Sequence, residues 1–162
     1  MASKGLVMLY TGNGKGKTTA ALGMALRALG HGIPVCVLQF VKGTWRTGEY
    51  VALQHFGELF CYRAFGRGFV RGETDITRHA EAARQGWQET VAIIASDQYP
   101  MVVLDEVTYL LRYGFVTEEE LLAGLGRKSP GAHIVLTGRY GPQWLRDRAD
   151  MVSAVRNLKH RA

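Results

Sequence analysis

Cysteine is scarce in this sequence: Cys36 and Cys61 are the two present among 162 residues. They show neither CxxC spacing nor histidines at zinc-site spacing, which argues against a zinc site and a disulfide framework. Cys36 lies inside an apolar run and is expected to be a small core residue, and no disulfide is expected. Long hydrophobic runs are missing as well. None approaches the ~18 residues of a membrane span, and Leu6 to Tyr10 is too short for a signal-peptide core. A cytoplasmic, soluble chain with no membrane partner is the expectation. No block of five like charges, no low-complexity tract and no repeat at solenoid spacing occurs. The formal charge is nevertheless +6. Arg63, Arg67 and Arg71 cluster locally, and Arg146, Arg148, Arg156, Lys159 and Arg161 load the C-terminal end. A basic surface attracts polyanions, but this charge is scattered. It reads as a solvated basic face, with no nucleic-acid partner expected. His31, His55, His79, His133 and His160 have no ligand spacing and are expected at the surface or in loops.

What is present is an alternation of apolar runs and helical periodicity. Leu6 to Tyr10, Val35 to Phe40 and Met101 to Leu104 read as strands of the continuous apolar kind found in parallel sheets. His133 to Thr137 reads as another strand, Leu59 to Ala64 as a weaker one and Met151 to Val155 as a sixth. From Gly16 the pattern is helical, with Ala20, Ala21, Met24, Ala25, Ala28 and Leu29 on one stripe. Gly30 and Gly32 stop it, and Pro34 follows. Asp75 to Ile94 is helical, with Ala80, Ala83, Trp87, Val91 and Ile94 in line, so Trp87 is expected in the core. Glu49 to Phe56, Val107 to Tyr113 and Pro142 to Arg148 read as short helices. Thr117-Glu118-Glu119-Glu120 has the form of a capping box that starts one more. The alternation predicts one α/β domain over residues 1–162, with a mostly parallel sheet of roughly six strands between two helical layers. In such sheets ligands bind beyond the carboxyl ends of the strands. The glycine-rich turn after the first strand, Gln39 to Gly43, Asp105-Glu106 and Thr137-Gly138-Arg139 all follow strands and should converge there.

The glycine-rich turn reads Thr11-Gly12-Asn13-Gly14-Lys15-Gly16-Lys17-Thr18-Thr19. The phosphate-loop pattern is GxxxxGK[ST]; Gly16-Lys17-Thr18 match it, and Thr11 stands where its first glycine belongs. Gly12, Gly14 and Gly16 let successive backbone N–H groups turn inward around an anion. The helix opening near Gly16 points its positive end at the same place. Lys17 adds a point charge, and the Thr18 hydroxyl is suited to Mg²⁺. Asp105-Glu106, at a strand end beside such a loop, is the expected acidic partner for the metal. These features predict an ATP- or GTP-binding domain of the P-loop NTPase kind and leave the reaction open.

The phosphate loop through Ala20-Ala21 resembles that of the P-loop-type ATP:corrinoid adenosyltransferases. So do Gln39-Phe40-Val41-Lys42-Gly43, Val102-Val103-Leu104-Asp105-Glu106, Thr137-Gly138-Arg139 and the closing stretch Ala149-Asp150-Met151-Val152-Ser153 with Lys159-His160. The motifs fall in the family's order and span nearly the whole chain. The resemblance implies that ATP-Mg²⁺ and a corrinoid reduced to Co(I) are bound, with Mn²⁺ as the alternative ion. Cobalt attacks the 5′ carbon of the ribose and triphosphate leaves, with ATP lying reversed in the loop relative to ordinary P-loop NTPases. It implies nucleotide contacts from Thr11, Gly12, Asn13, Gly14, Lys15, Gly16, Lys17, Thr18, Thr19 and Arg27, for which an exposed helix arginine is the rival reading. It implies a metal site from Thr18, Glu106 and Asp105, with Asp105 also suited to stand behind the ligands. Lys17 and Arg139 would stabilise the leaving polyanion. No nucleophile–base–orienter set is apparent, and none is required, because Co(I) is itself the nucleophile.

The corrinoid side departs from the family's pattern. The family loop Gly-Phe-Thr-Trp-Glu-Thr is here Gly68-Phe69-Val70-Arg71-Gly72-Glu73-Thr74. Phe69 matches the aromatic that displaces the lower axial ligand; Arg71 stands in place of tryptophan and is suited to pair with a corrin carboxylate or phosphate. Trp45 and Arg46 are further candidates for the pocket wall. The family commonly continues past Lys-His with a segment that closes over the site, whereas this sequence ends at Ala162, as in a short variant or one without that closure. A homodimer and a reduced flavoprotein as electron donor are implied by resemblance alone. The rival readings are a P-loop NTPase or small-molecule kinase, a recombinase-like DNA-binding ATPase and a non-catalytic corrinoid carrier. Intact Lys17, Thr18 and Glu106 argue against the last.

Overall fold

The computed structural model describes residues 3–41, 46–65 and 73–160, and of residues 73–75 the backbone. Six strands, β1 (Val7–Thr11), β2 (Val35–Gln39), β3 (Phe60–Ala64), β4 (Met101–Asp105), β5 (His133–Thr137) and β6 (Met151–Ala154), form one sheet in the order β3-β2-β4-β5-β1-β6. The sheet expected to be mostly parallel is parallel in every pairing. The helices are α1 (Lys17–Gly30), α2 (Gly48–Leu53), α3 (Glu73–Ala95), α4 (Thr108–Arg112), α5 (Glu118–Gly126) and α6 (Gln143–Arg148). The helix expected over Glu49 to Phe56 is shorter: after Leu53 it tightens into a 3-10 segment, Gln54–Leu59, broken where Gly57 adopts φ 59°.

Strand side chains alternate between the two faces, and the alternation sorts the layers. Val7, Leu9, Leu38 and Leu104 join a core with Trp87, Leu110, Leu121, Leu125 and Leu145 from α3, α4, α5 and α6. Met8, Val37 and Val103 point the other way, into a core with Ala21, Leu22, Ala25 and Leu29 of α1 and Leu53 of α2. Both faces of the central strands are therefore dry, which explains why β2 and β4 are buried at every position. Cys36 and Cys61 are register partners on β2 and β3, and both are free thiols.

His79 departs from expectation. It was expected at the surface or in a loop, yet it is buried on α3. The helical period explains this, since residues 79, 83 and 87 are four apart and share the stripe of Ala83 and Trp87. Of the other histidines, His133 is half-buried and its Nδ1 accepts the Leu6 amide at 3.0 Å.

β6 differs from the other strands in that all four of its residues are exposed. It holds to the sheet through β1 alone. The pairing continues past the strand, where the Val155 amide donates to Thr11 O and the Gly14 amide to Val155 O, both at 2.8 Å. The chain after β6 thus braces the loop after β1.

Candidate functional site

The loop between β1 and α1 is shaped by close packing as much as by glycine freedom. Gly12 has φ 100°, and a Cβ on it would run into the Val155 carbonyl. A Cβ on Gly14 would meet Arg156 and Val155. The inward turn of successive amides expected from the glycines therefore fails at Gly14, whose N–H is taken by Val155 O. Gly16, at φ 114°, caps α1 with no side-chain hydrogen bond. The first amides of α1, from Lys17 onward, have no intrahelical acceptor and form the anion-facing end of the helix. Lys17 Nζ donates to Gly14 O at 2.6 Å. Partial burial, chiefly, and then the Arg139 charge lower the pKa of its ammonium; Glu106 and Asp105 oppose them. Two cations thus act on one small volume, an arrangement suited to a polyanion.

Strand register assembles the acidic side. Asp105 ends β4 and pairs with Gln39 on β2, while Leu104 pairs with Leu136 on β5, one residue before Thr137. The Asp105 carboxylate is fully buried. Its Oδ1 accepts from Thr18 Oγ1 at 2.8 Å and Thr137 Oγ1 at 2.7 Å, and its Oδ2 accepts from Gln39 Nε2 at 3.0 Å. Tyr62 on β3 donates to Gln39 Oε1 and extends the chain of bonds across the sheet. Burial raises the pKa of the Tyr62 phenol, as do the nearby Asp105 and Tyr50. Because the Thr18 hydroxyl spends its proton on Asp105, its lone pairs remain for another partner. Glu106 follows in the left-handed region at φ 59°, rare for a residue with a side chain. Its amide donates to Thr137 Oγ1 at 2.8 Å, which holds the turn.

These elements enclose a cavity of ≈ 440 Å³ at the carboxyl end of the sheet. Asn13, Gly14, Lys15, Gly16, Lys17, Thr18 and Thr19 line one side, and Glu106, Gly138 and Arg139 line another. Thr11 is buried behind the loop, where its Oγ1 donates to Arg139 O at 3.4 Å, and Gly12 sits with it outside the lining. Arg27 is not brought to the cavity: it is exposed in the last turn of α1, ten residues or ~15 Å along the axis from Lys17. Phe69, Arg71, Trp45, Lys42 and Gly43 lie outside the described residues. Arg46 is exposed and is not part of the lining.

Sequence reasoning missed a third wall. Thr108, Tyr109, Arg112 and Tyr113 also line the cavity. Their spacing of i, i+1, i+4 and i+5 is one face of a helix, and that face was the available signal once Asp105-Glu106 had been placed. Thr108 packs so tightly on Gly138 that any Cβ there would overlap its hydroxyl. Gln39 and Thr137 had been placed at strand ends without a role; only the register makes them partners of Asp105. Among the described residues no cluster of three or more histidines, cysteines or carboxylates is poised for a metal. Thr18 and Glu106 offer oxygens only, which suits a hard ion that keeps several waters and phosphate oxygens.

The sequence model described as ATP:corrinoid adenosyltransferase BtuR/CobO/CobP matches residues 3–162. The chain is 38% identical over 157 residues to the corrinoid adenosyltransferase of Escherichia coli K12, covering 97% of this chain and 79% of that protein. It is 39% identical over 157 residues to corrinoid adenosyltransferase CobA of Salmonella typhimurium, with the same coverage. For the Sinorhizobium corrinoid adenosyltransferase the identity is 37% over 159 residues, with 97% and 74% covered. Among solved structures, the flagellar accessory protein FlaH of Methanocaldococcus jannaschii superposes with TM-score 0.66 at 11% identity, covering 93% of this chain and 71% of FlaH. That likeness concerns the fold alone.

Proposed function

This chain belongs to the family of ATP:corrinoid adenosyltransferases, and on that premise we propose how its own residues carry the reaction. The enzyme transfers the 5′-deoxyadenosyl group of ATP to the cobalt of a reduced corrinoid, with triphosphate as the leaving group. The observation that carries the residue assignment is the convergence of Lys17, Thr18, Glu106 and Arg139 on one cavity. A reaction driven by a metal nucleophile needs positioning and a sink for negative charge rather than a general base.

In this reading the first amides of α1 and Lys17 grip the polyphosphate. Lys17 leaves Gly14 O for the ligand, and its partial desolvation strengthens the attraction. Arg139 approaches the same anion from the turn after β5. A bound Mg²⁺, or Mn²⁺, would be held by the Thr18 hydroxyl and the Glu106 carboxylate together with phosphate oxygens, and would neutralise charge on the departing triphosphate. Asp105 acts through Thr18, because a fully buried carboxylate with three donors orients the hydroxyl and does not itself face the cavity. Displacement of the corrinoid's lower ligand is assigned to Phe69 by resemblance. A homodimer, a reduced flavoprotein donor and a cytoplasmic setting belong to the same reading. Among the described residues no helix is long and apolar enough to cross a membrane. One sheet between two helical layers supports residues 1–162 as one catalytic domain.

The test is anaerobic incubation with ATP, Mg²⁺ and a chemically reduced corrinoid. A light-sensitive product should appear with one triphosphate per product. Lys17→Ala should lower turnover by about a hundredfold or more. Orthophosphate with no adenosylated product would overturn the proposal in favour of an ordinary nucleotide hydrolase or kinase.

A further inference from the structure

Among the described residues the cavity lining carries four cations, Lys15, Lys17, Arg112 and Arg139, against one carboxylate, Glu106. Two of the cations stand on the phosphate loop. Arg139 acts on the Lys17 ammonium, so it faces the same anion. Arg112 has a different place in the fold. It lies one turn after Thr108 on the cavity face of α4, ~6 Å farther along the helix axis. Thr108 is buried against Gly138, whereas Arg112 is exposed. The face therefore runs from the floor of the cavity at Thr108 to its mouth at Arg112.

The guanidinium is prepositioned. Its carbon sits 5.7 Å from the Tyr113 ring centroid. Tyr113 in turn packs on Tyr109 at 4.7 Å and stacks on Phe115 at 5.7 Å and 20°. Phe115 is buried in the core. A cation over such an anchored stack loses little freedom when it binds. Among the described residues Arg112 has no carboxylate partner; the ion pairs are Lys4–Asp150 and Arg84–Glu120.

A corrin ring presents a flat apolar body and a rim of side chains that end in carboxylate or in amide. A guanidinium binds a carboxylate with two charge-assisted hydrogen bonds and an amide only through one neutral oxygen. Resting on the adenosyltransferase reading, we propose that Arg112 is a specificity-determining residue that takes a rim carboxylate of the corrinoid. This enzyme then favours corrinoids with free acid side chains over fully amidated ones. Tyr113 holds the guanidinium in place and offers its ring to the apolar body.

The experiment compares two pre-reduced corrinoids, one with several free carboxylates and one fully amidated, under anaerobic steady-state conditions. Wild type should favour the acid form by about tenfold in kcat/KM, the effect of one charge-assisted pair. The preference should narrow as salt rises. Arg112→Gln should abolish it chiefly by raising KM for the acid corrinoid, with a much smaller rise for the amidated one and none in KM for ATP. Arg112→Lys should restore part of it. Equal losses on both corrinoids would mean a structural role, and a raised KM for ATP would put Arg112 on the nucleotide; either result overturns the proposal. A wild type that adenosylates both corrinoids equally removes the role of Arg112 and leaves the transferase reading standing, whereas one that adenosylates neither removes both.

Discussion

A buried carboxyl group needs hydrogen-bond donors in place of water, and at Asp105 three side chains supply them. Asp105→Asn turns one oxygen into a donor that must face Thr18 and Thr137 or Gln39, each already donating. We expect a loss of about 2 kcal/mol in stability, read from urea unfolding, together with weaker Mg²⁺-ATP binding by calorimetry. Unchanged nucleotide affinity in a folded variant would show that the Thr18 hydroxyl does not depend on Asp105 for its orientation. The identity of this acid was legible from its place after an apolar run. Its burial, and its separation in role from Glu106 one residue later, were not. That difference comes from the register of β2, β4 and β5 and from the left-handed turn at Glu106, neither of which has a local sequence signature. Arg27 shows the converse. Helical periodicity placed it on α1 but carries no information about how far along the axis the cavity extends.

Among the elements, helix starts and stops were the most legible features, because capping chemistry is local. The box predicted at Thr117 is complete in the structure. The Thr117 hydroxyl accepts the Glu120 amide at 3.1 Å, and the Glu120 carboxylate accepts the Thr117 amide at 2.9 Å. That bond, first, and Arg84 hold the Glu120 carboxyl below its ordinary pKa. Thr117→Ala should lower stability by about 1 kcal/mol and leave turnover unchanged, since α5 lies on the face away from α1 and contributes nothing to the cavity lining. A thermal scan and a product assay on the same preparation check both halves, and a loss of activity beyond the loss of folded protein would contradict the placement. α4 was also legible as a helix, but its contribution to the site was not. What brings Thr108, Arg112 and Tyr113 to the cavity is the close approach to Gly138, a contact thirty residues away in the chain.

At the scale of the molecule, the sheet is closed at one end by a pair of bonds between β1 and the turn before β6. The Val7 amide donates to Asp150 Oδ2 at 2.8 Å, and the Asp150 amide returns a bond to Val7 O at 2.8 Å. The first of these is the main reason the Asp150 carboxyl has a lowered pKa, with Lys4 next among the favourable charges. A carboxyl whose folded pKa lies below its unfolded one stabilises the fold above the unfolded value, near 4. That contribution disappears as pH falls through the folded value. Asp150→Asn should therefore lower the urea midpoint at pH 7, and the gap to wild type should be smaller at about pH 3, below the unfolded value. A gap of the same size at both pH values would remove the charge from the explanation.

Sequence alone determined the alternation of strands and helices, the phosphate loop with Lys17 and Thr18, the acidic pair at the end of β4 and the family. The elements, the loop and the acidic pair are each written locally by periodicity, capping or a contiguous motif, and the family by several such motifs in order along the chain. Tertiary structure decided that Gly14 spends its amide on Val155, that Asp105 is sealed behind Thr18, that His79 is buried and that α4 supplies a wall with a cation at its mouth. Those outcomes depend on which strands become neighbours and in what register. Parallel neighbours are set by crossovers and by shared burial on two faces, and residues far apart in the chain meet only after that choice is made.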